Sequence, residues 1–438
     1  MRTLFVVFLL VCAGAALIFS ILSREPDPIQ TSLSVSAALS VDTAGYARAH
    51  GPRPFVFPSD HGPHPEFRTE WWYYTGNVQT DTGRRFGYQF TIFRTALSPS
   101  ESDHRESIDA VRGRAPSRSF SDGAATENGV TDGEARDSAA PDDGTSDRAA
   151  LDSSTSNSWS TNQLYMAHLA LTDVRSKEHY AQERFSRGAA GLAGATAEPY
   201  HVWIEDWEIT GLDGNADSVR IRAQTEGFGL DVVAARTKPI VLQGEDGYDR
   251  KGQQPGNASY YYSMSRMATR GVILLDGSRV AVTGTTWLDR EWGTSALSAD
   301  QVGWDWFSLQ LQNDIEVMYY QIRERDGSAS QYSGGVVVDR EGSTLGITPD
   351  DIRLDVLDMW ESETGAATYP SEWRLEIPSL QIDLHMKPQV ADQELRLSIR
   401  YWEGTVHVQG THAGVPVEGY GFVELTGYDE NERDHARR

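Results

Sequence analysis

Short runs of alternating polar and apolar residues, separated by turn residues, are the feature that most restricts how this chain can fold. The run TEWWYYTGNVQT is followed by the turn DTGRR and then by FGYQFTIFRTAL, which is the pattern of a β-hairpin. Similar runs recur up to residue 428, and no long segment has a sustained 3.6-residue repeat. The pattern predicts an all-β protein built as barrels or sandwiches, with little helix.

Two breaks in this pattern define the predicted domains. Residues 98–160 consist mainly of Ser, Asp, Gly, Ala, Glu and Thr, and cannot bury enough apolar surface to offset their ordering entropy. They predict a disordered acidic insertion in an inter-strand loop. Residues 243–258, rich in Gly, Gln and charge, predict a linker. The N-terminal domain is then expected over 55–242 and the C-terminal domain over 259–428, before a polar tail at 429–438.

The N-terminus carries one hydrophobic segment. Residues 4–22 read LFVVFLLVCAGAALIFSIL, which is about the length of a bilayer span. Arg2 stays in the cytoplasm under the positive-inside rule, which predicts export of everything that follows. Residues 1–23 are therefore a cleaved signal peptide or an uncleaved signal anchor, followed by a polar stalk at 24–54. We expect a periplasmic or cell-envelope protein, secreted or membrane-anchored, that contacts the membrane through this segment only.

Cys12 is the only cysteine, and it lies inside the hydrophobic segment. The exported part of the chain is therefore expected to contain no disulfide and to use no thiol chemistry. Acylation of Cys12 is an alternative way to anchor the protein. It is disfavoured because Val11 occupies the preceding position, where a small residue is expected.

Charge and motifs exclude several classes of protein. With 63 acidic and 39 basic residues the formal net charge is −24, which repels nucleic acids and anionic lipid surfaces. The sequence contains no G-x-S-x-G elbow, no HExxH, no P-loop and no dinucleotide-binding glycine motif. The eleven histidines form no metal-ligand pattern. We therefore expect neither a metal nor a cofactor.

Carboxylates recur beside aromatic residues on the same strand face. Four strands show this arrangement, through Glu70, Glu205, Asp305 and Glu424. A carboxylate aimed into an apolar cavity has its pKa raised by desolvation and stays protonated near neutral pH. The alternative is a structural role in ion pairs, with Arg94, Arg290 and Arg400 as partners. In that alternative, Arg290 holds its two acidic neighbours and pins a strand corner.

Five segments resemble the AttH-like group of proteins: HPEFRTEWWYYTGNV, GYQFTIFR, LYMAHLALTD, WLDREWGTSALSADQVGWDWFSLQL and GYGFVELTGY. This group includes the carotenoid 1,2-hydratases (hydroxyneurosporene synthases) and a secreted branch often labelled as hydrolases. The resemblance is better to the secreted branch. It implies two tandem lipocalin-like β-barrel domains, with a ligand site in an apolar cavity or in a groove between them.

The resemblance also implies a chemistry. The hydratases protonate a double bond of an isoprenoid and let water capture the cation, which requires a neutral carboxylic acid and aromatic faces. The catalytic candidates in this chain are Asp289, Glu291 and Asp305. The ligand-binding candidates are Glu70, Trp71, Trp72, His168, Arg290, Trp292, Trp304 and Trp306.

Two functions remain open. The first is a binding protein for an apolar lipid or isoprenoid, serving an ABC-type envelope export system through its permease, as the resemblance suggests. The second is an enzyme that hydrates or hydrolyses such a molecule. The hydratases place an Asp shortly after a Tyr on one strand, whereas this chain reads Met318-Tyr319-Tyr320-Gln321 there. An enclosed cavity with a converging carboxylate would favour the enzyme, and acids confined to a rim would favour the binding protein.

Overall fold

The computed structural model describes residues 43–99, 161–294, 297–298 and 300–429. The predicted membrane segment lies outside these residues, as do nearly all of the insertion, nearly all of the tail and most of the stalk. The described residues contain no α-helix, only 3-10 helices at Ser59–His61, Ala189–Gly191, Leu212–Gly214 and Pro378–Leu380. They include no candidate transmembrane helix.

The first sheet contains thirteen strands. These are β1 (Thr69–Gln79), β2 (Arg85–Ala96), β3 (Gln163–Asp173), β4 (Glu178–Arg187), β5 (Ala193–Thr196), β6 (His201–Ile204), β7 (Trp207–Gly211), β8 (Ser218–Gln224), β9 (Phe228–Arg236), β10 (Val241–Leu242), β11 (Tyr248–Arg250), β12 (Ala258–Leu275) and β13 (Ser278–Gly293). Their order is β4-β3-β2-β1-β13-β12-β9-β8-β7-β6-β5, with β10 and β11 also paired to β12. All pairs are antiparallel, and the sheet curls so that β6 approaches β2, β3 and β4.

The second sheet contains ten strands. These are β14 (Gln301–Leu311), β15 (Glu316–Glu324), β16 (Gly334–Val338), β17 (Thr344–Ile347), β18 (Arg353–Glu361), β19 (Thr368–Ile377), β20 (Ile382–Pro388), β21 (Glu394–Arg396), β22 (Arg400–His412) and β23 (Val415–Leu425). Their order is β17-β16-β15-β14-β23-β22-β20-β19-β18, with β21 paired to β22. The prediction of an all-β protein with two tandem barrels is confirmed.

The boundary between the two sheets differs from the predicted linker at 243–258. That segment contains β11, which pairs with β12. The strands β12 and β13, predicted to open the second domain, instead complete the first sheet, because β13 pairs with β1 and β12 with β9. The glycine-rich composition marks turns inside the sheet. The second sheet begins only at Gln301, after β13 ends at Gly293.

The insertion lies between two neighbouring strands, as its position in the strand pattern indicates. Strands β2 and β3 pair antiparallel from Phe86↔Asp173 to Ala96↔Gln163. The chain therefore leaves the sheet after β2 and returns to the adjacent position. The predicted disorder of the segment concerns residues outside the described ranges.

Alternation divides β1 and β13 into two faces. Trp72 and Trp292 are buried in the core of the first barrel, together with residues such as Phe90 and Leu230. Tyr73 and Trp287 point the other way and pack with Trp306, Met318 and Tyr320 of the second sheet. The two barrels are thus joined by an aromatic interface. This contact is favourable because each buried aromatic side chain removes roughly 150–250 Å² of surface from water.

Small residues and ion pairs also bring the barrels together. A Cβ atom at Gly87 would lie 2.6 Å from the side chain of Thr405, so glycine permits this close approach of the sheets. The Asn77 side-chain amide donates to the Gly421 carbonyl at 3.2 Å. Lys238 of the first domain lies 2.7 Å from Glu316 of the second. The relative position of the barrels is fixed by these contacts.

Candidate functional site

A cavity of about 240 Å³ lies between the two sheets. Its walls are largely aromatic and include Trp71, Tyr73, Tyr261, Trp304, Trp306 and Tyr401. Five acidic residues also line it: Asp289 and Glu291 from β13, Glu403 from β22, Glu424 from β23 and, in part, Glu70 from β1. Acidic groups that converge in an apolar enclosure mark a candidate site for binding or catalysis.

Asp289 faces the cavity because alternate residues of β13 share this face. It is buried and accepts a hydrogen bond from the Tyr261 hydroxyl at 2.5 Å. Its second oxygen accepts from the Ser263 hydroxyl at 2.5 Å and from the Trp287 indole N–H at 2.6 Å. The carboxyl group is therefore held rigidly by three donors from β12 and β13.

Burial raises the pKa of Asp289 to about 7, because removal from water disfavours the carboxylate. The three hydrogen bonds oppose this rise, and the nearby Glu291 carboxyl adds to it. Within the described residues, no Lys, Arg or His side chain forms an ion pair with Asp289, whereas Glu291 has such a partner. Asp289 is consequently divided between acid and carboxylate near neutral pH, and can either give or take a proton.

Glu291 lies beside a cation. Its Oε1 is 3.4 Å from Lys251 Nζ and accepts from the Ser259 hydroxyl at 2.5 Å. Lys251 is also 2.5 Å from Asp249, and its ammonium lies 4.3 Å from the centroid of the Tyr320 ring. Burial disfavours the ammonium, but the charges of Asp249 and Glu291 prevail and hold the pKa of Lys251 well above its ordinary value. Lys251 is therefore a fixed positive charge and not a nucleophile.

Glu403 and Glu424 stand directly opposite each other on β22 and β23. Burial raises the pKa of both carboxyls, and the charge of Glu424 adds to the rise at Glu403. The Tyr73 hydroxyl donates to Glu403 Oε1, while Glu403 Oε2 is buried without a hydrogen-bond partner among the described residues. Two carboxyl groups so close together share a proton more readily than they both ionise.

His168 adjoins this pair through Tyr401. Its Nδ1 lies 2.8 Å from the Tyr401 hydroxyl, and its Nε2 lies 3.8 Å from Glu183 Oε2. Burial lowers the pKa of His168 to about 3, so that the ring is neutral. The imidazole thus orients Tyr401 at the cavity wall without adding a charge.

The structure divides the predicted ligand-binding residues into two groups. Trp71, His168, Trp304 and Trp306 line the cavity. Trp72, Arg290 and Trp292 do not, because they lie on the opposite face of β1 and β13 and point into the first barrel. The structure therefore does not bring these three residues to the cavity, since proximity in sequence does not distinguish the two faces of a strand.

Glu70 belongs with the second group, although part of the residue borders the cavity. Its carboxylate forms ion pairs with Arg94 and Arg290 and accepts from the His64 backbone N–H at 3.1 Å. Burial alone would raise the pKa of Glu70, but the two guanidinium groups hold it well below its usual range. Arg290 also lies 4.0 Å from the centroid of the Trp72 ring. Arg290 therefore clamps Glu70, and not its own acidic neighbours in sequence.

Asp305 also lies outside the cavity. It shares a face with Phe307, as the sequence indicates, but this face is the interior of the second barrel. Its carboxylate is 3.2 Å from Arg323 Nε and accepts from the Tyr428 hydroxyl at 3.0 Å. The prediction of Asp305 as a cavity acid was wrong, because Trp304 and Trp306 occupy the cavity side of β14.

Several cavity residues were missed from the sequence. Glu403 and Tyr401 stand two residues apart in RYWEGTV, which is the same acid–aromatic pattern that drew attention to Glu424. This pattern could have identified Glu403 and Tyr401 from the sequence. The contact of Tyr73 with Glu403 could not have been predicted, because it depends on how the two barrels dock.

Within the described ranges, no group of three or more His, Cys, Asp or Glu side chains is arranged to hold a metal ion. The cavity instead offers carboxyl groups, phenol hydroxyls and a neutral imidazole. Their chemistry is that of proton transfer and of contact with apolar or cationic groups.

Two docked, curled antiparallel sheets with an acid-lined aromatic cavity between them define the class of tandem lipocalin-like barrel proteins. The chain belongs to the AttH-like family, whose model matches residues 48–118 and 144–428. A solved structure from Nitrosomonas europaea, described as AttH, is 30% identical, with a TM-score of 0.67 over 87% of this chain and 99% of that one.

Two curated relatives have names that state a reaction. Kievitone hydratase of Fusarium solani subsp. phaseoli is 23% identical over 48% of this chain and 60% of its own length. Dehydratase asqC of Emericella nidulans is 24% identical over 54% of this chain and 70% of its own length. The structure of a kievitone hydratase from Nectria haematococca shares the fold, with a TM-score of 0.58 at 15% identity over 88% of this chain and 99% of that one.

Proposed function

We propose that this protein is an enzyme that adds water to a carbon–carbon double bond, or removes it, in an apolar molecule bound between the barrels. The observation that carries the proposal is Asp289, a buried carboxyl group with a pKa raised to about 7 inside an aromatic cavity. A cavity of about 150 Å³ holds a benzene ring, so 240 Å³ admits a substituted ring or a short branched chain.

In this proposal the protonated Asp289 gives its proton to one carbon of the double bond, and a carbocation forms on the other carbon. The aromatic faces of Trp304, Trp306 and Tyr73 stabilise that cation. A water molecule then bonds to the cation, and its surplus proton passes to a carboxylate, either Asp289 itself or the Glu403–Glu424 pair. The sum is alkene plus water giving alcohol, and dehydration follows the same steps in reverse.

The named reactions of two relatives support this class of chemistry, because one is a hydratase and the other a dehydratase. The identities are low, so the substrates of those proteins are not carried over. The cavity is partly open to solvent, but Asp289, Glu291 and Glu403 are buried in its wall, which fits catalysis better than acids on an exposed rim would.

The test uses the acyclic alkene myrcene and the tertiary alcohol linalool as probes, with full-length protein in water enriched in ¹⁸O. We expect ¹⁸O in an alcohol formed from myrcene, or loss of water from linalool, measured by mass spectrometry. Asp289→Asn should lower the rate about 100-fold or more, because an amide cannot deliver the proton.

The control is Glu418→Gln, on the same strand as Glu424 but outside this cavity, where it lies 2.7 Å from His407. It should retain the rate. Turnover unaffected by Asp289→Asn would contradict the proposal, as would absence of turnover across a wider set of alkenes and alcohols that demonstrably bind.

A second candidate is a carrier that holds an apolar lipid or isoprenoid without altering it. The aromatic walls of the cavity favour this candidate, because they suit any apolar ligand. The hydrophobic segment at 4–22 supports export to the periplasm or cell envelope, where an ABC-type permease would be the partner. Lipid extraction from protein purified from its own host, followed by mass spectrometry, would reveal an unmodified ligand.

A further inference from the structure

The charges around the cavity do not balance. Asp289, Glu403 and Glu424 form no ion pair with any Lys, Arg or His of the described residues. The cations in the wall already have other partners, because Lys251 is paired with Asp249 and Glu291, and Arg94 with Glu70. Glu70, only one strand away, has two arginines. A buried carboxyl without a counter-ion must either stay protonated or acquire a cation from outside.

A second observation points to a missing partner. Glu403 is 1% exposed, and its Oε2 forms no hydrogen bond of good geometry within the described part of the chain, although the Tyr401 hydroxyl lies near this carboxyl group. A buried polar atom left in this state destabilises the fold, and a partner for it would be favourable. Because Glu403 lines the cavity opposite Glu424, a ligand in the cavity can supply the missing contact.

The walls suit an organic cation. Faces of Trp and Tyr rings attract positive charge, and Trp71, Tyr73, Trp304 and Trp306 surround the space in front of these acids. Lys251 already uses a ring in this way, with its ammonium 4.3 Å from the centroid of Tyr320. Aromatic faces combined with uncompensated carboxyls are the elements of ammonium-binding cages.

We propose that the cavity is a binding site for hydrophobic organic ammonium ions, which enter in exchange for a proton of the Glu403–Glu424 pair or of Asp289. Each event is balanced: one ammonium ion binds, one carboxyl becomes a carboxylate, and one proton leaves to the solvent. The site shares the cavity with the proposed reaction but does not depend on turnover.

The exchange makes binding depend on pH. The groups that face the pair from neighbouring strands are Tyr73, Tyr261 and Tyr401, whose pKa values burial raises, and the neutral His168. The remaining charges, on Lys251, Asp249, Glu291 and Glu183, already have partners. Because an ammonium ion binds the ionised carboxylate, the affinity for the ammonium ion should rise with pH. The rise is up to about tenfold per pH unit over the range in which binding releases one proton.

The test compares benzyltrimethylammonium with neopentylbenzene, which has the same shape but no charge. Neither probe forms micelles of its own, and both are compared with full-length protein in the same nonionic detergent. We expect the ammonium ion to bind about tenfold more tightly than its isostere at pH 8, and the ratio to fall at pH 6. Tryptophan fluorescence gives the affinity, and calorimetry in phosphate and in Tris gives the number of protons released.

Variants identify the acids. Glu403→Gln with Glu424→Gln should remove most of the preference for the charged probe and most of the proton release, while neopentylbenzene still binds. Glu418→Gln should change neither quantity. Circular dichroism and the melting temperature establish that each variant is folded.

Equal affinity for the two probes, or binding of the ammonium ion without release of a proton, would overturn the proposal. So would a preference that stays unchanged both in the double variant and in Asp289→Asn. Hydration activity without a preference for the ammonium ion refutes this site and leaves the proposed reaction intact. A preference for the ammonium ion without turnover of any alkene or alcohol supports this site and contradicts the proposed reaction.

Discussion

Buried carboxyl groups occur in two neighbouring regions of this protein, and they behave in opposite ways. Inside the first barrel, Glu70 lies between Arg94 and Arg290, and its pKa is held well below the usual range. In the cavity between the barrels, Asp289 and Glu403 have no cationic partner among the described residues, and burial raises their pKa values. Burial alone therefore does not decide the charge of an acid; its partner does.

The two regions use the same strands. Glu70 lies on β1 opposite Trp292 of β13, while Tyr73 of β1 lies opposite Asp289 of β13. One face of this strand pair is a closed ion-pair cluster inside the barrel, and the other holds acids without a cationic partner among the described residues. A structural use of carboxyl groups and the proposed reactive use are separated by the thickness of one sheet.

Removing a cation from the first region gives the largest expected effect. Arg290→Ala leaves Glu70 with one arginine, and should lower the free energy of unfolding by about 3–5 kcal/mol, since an incompletely paired buried charge remains. Asp289→Asn should cost far less, because no ion pair is broken. Urea denaturation at pH 8 measures both. A loss below about 1 kcal/mol for Arg290→Ala would remove the distinction between the regions.

The pH dependence of stability separates the regions next. The folded pKa of Asp289, about 7, exceeds the ordinary value of 3.8, so the folded state binds more protons between these values. The protonated Asp289 stabilises the folded state below about pH 4, and this stabilisation is lost as the pH rises to 7. The free energy of unfolding falls by about 4 kcal/mol at most over this interval. Glu70 has the opposite sign: its contribution is present above its ordinary value of 4.5 and is lost in acid.

Asp289→Asn should therefore flatten the decline in melting temperature between pH 4 and 7. Glu70→Gln, if it folds, should instead flatten the decline in acid. Differential scanning calorimetry of wild type and both variants measures these slopes. A wild-type-like slope above pH 4 in Asp289→Asn would show that the carboxyl is ionised throughout.

The smallest effect concerns tryptophans. Bromine quenches indole fluorescence at contact, so bromobenzene, a substituted ring of the size that the cavity admits, should quench Trp304 and Trp306, which line it. Trp304→Phe should remove much of this response. Trp292→Phe should leave it unchanged, because Trp292 packs inside the first barrel against Phe55, with ring centroids 5.6 Å apart. An equal loss in both variants would place the ligand elsewhere.

Much of the fold was predictable because turns and alternation are local properties. The hairpin of β1 and β2 and the resumption of the sheet at β3 followed from them, whereas the two-barrel architecture was an expectation from the resemblance to the AttH-like group. The domain boundary did not, because residues 243–258 have the composition of a linker but the hydrogen bonds of a sheet. Residue composition predicts where turns lie, but it does not predict which strands pair with each other.

The site was only partly predictable for a related reason. Alternation correctly grouped Asp305 with Phe307, but did not reveal whether that face meets the cavity or the interior of the second barrel. Asp289 and Trp304 were named from the resemblance to the AttH-like group, and both line the cavity. Glu403 required the docking of β22 against β1, which is a contact between residues far apart in sequence.

The double use of β13 has a consequence for how this protein can change in evolution. Deleting or inserting one residue between Trp287 and Trp292 would exchange the two faces of the strand beyond that point. Arg290 and Trp292 would then enter the cavity, and Glu291 would enter the barrel core without a counter-ion. Changes in length are thus barred here, and new specificities must arise by substitution at alternate positions of an unchanged strand.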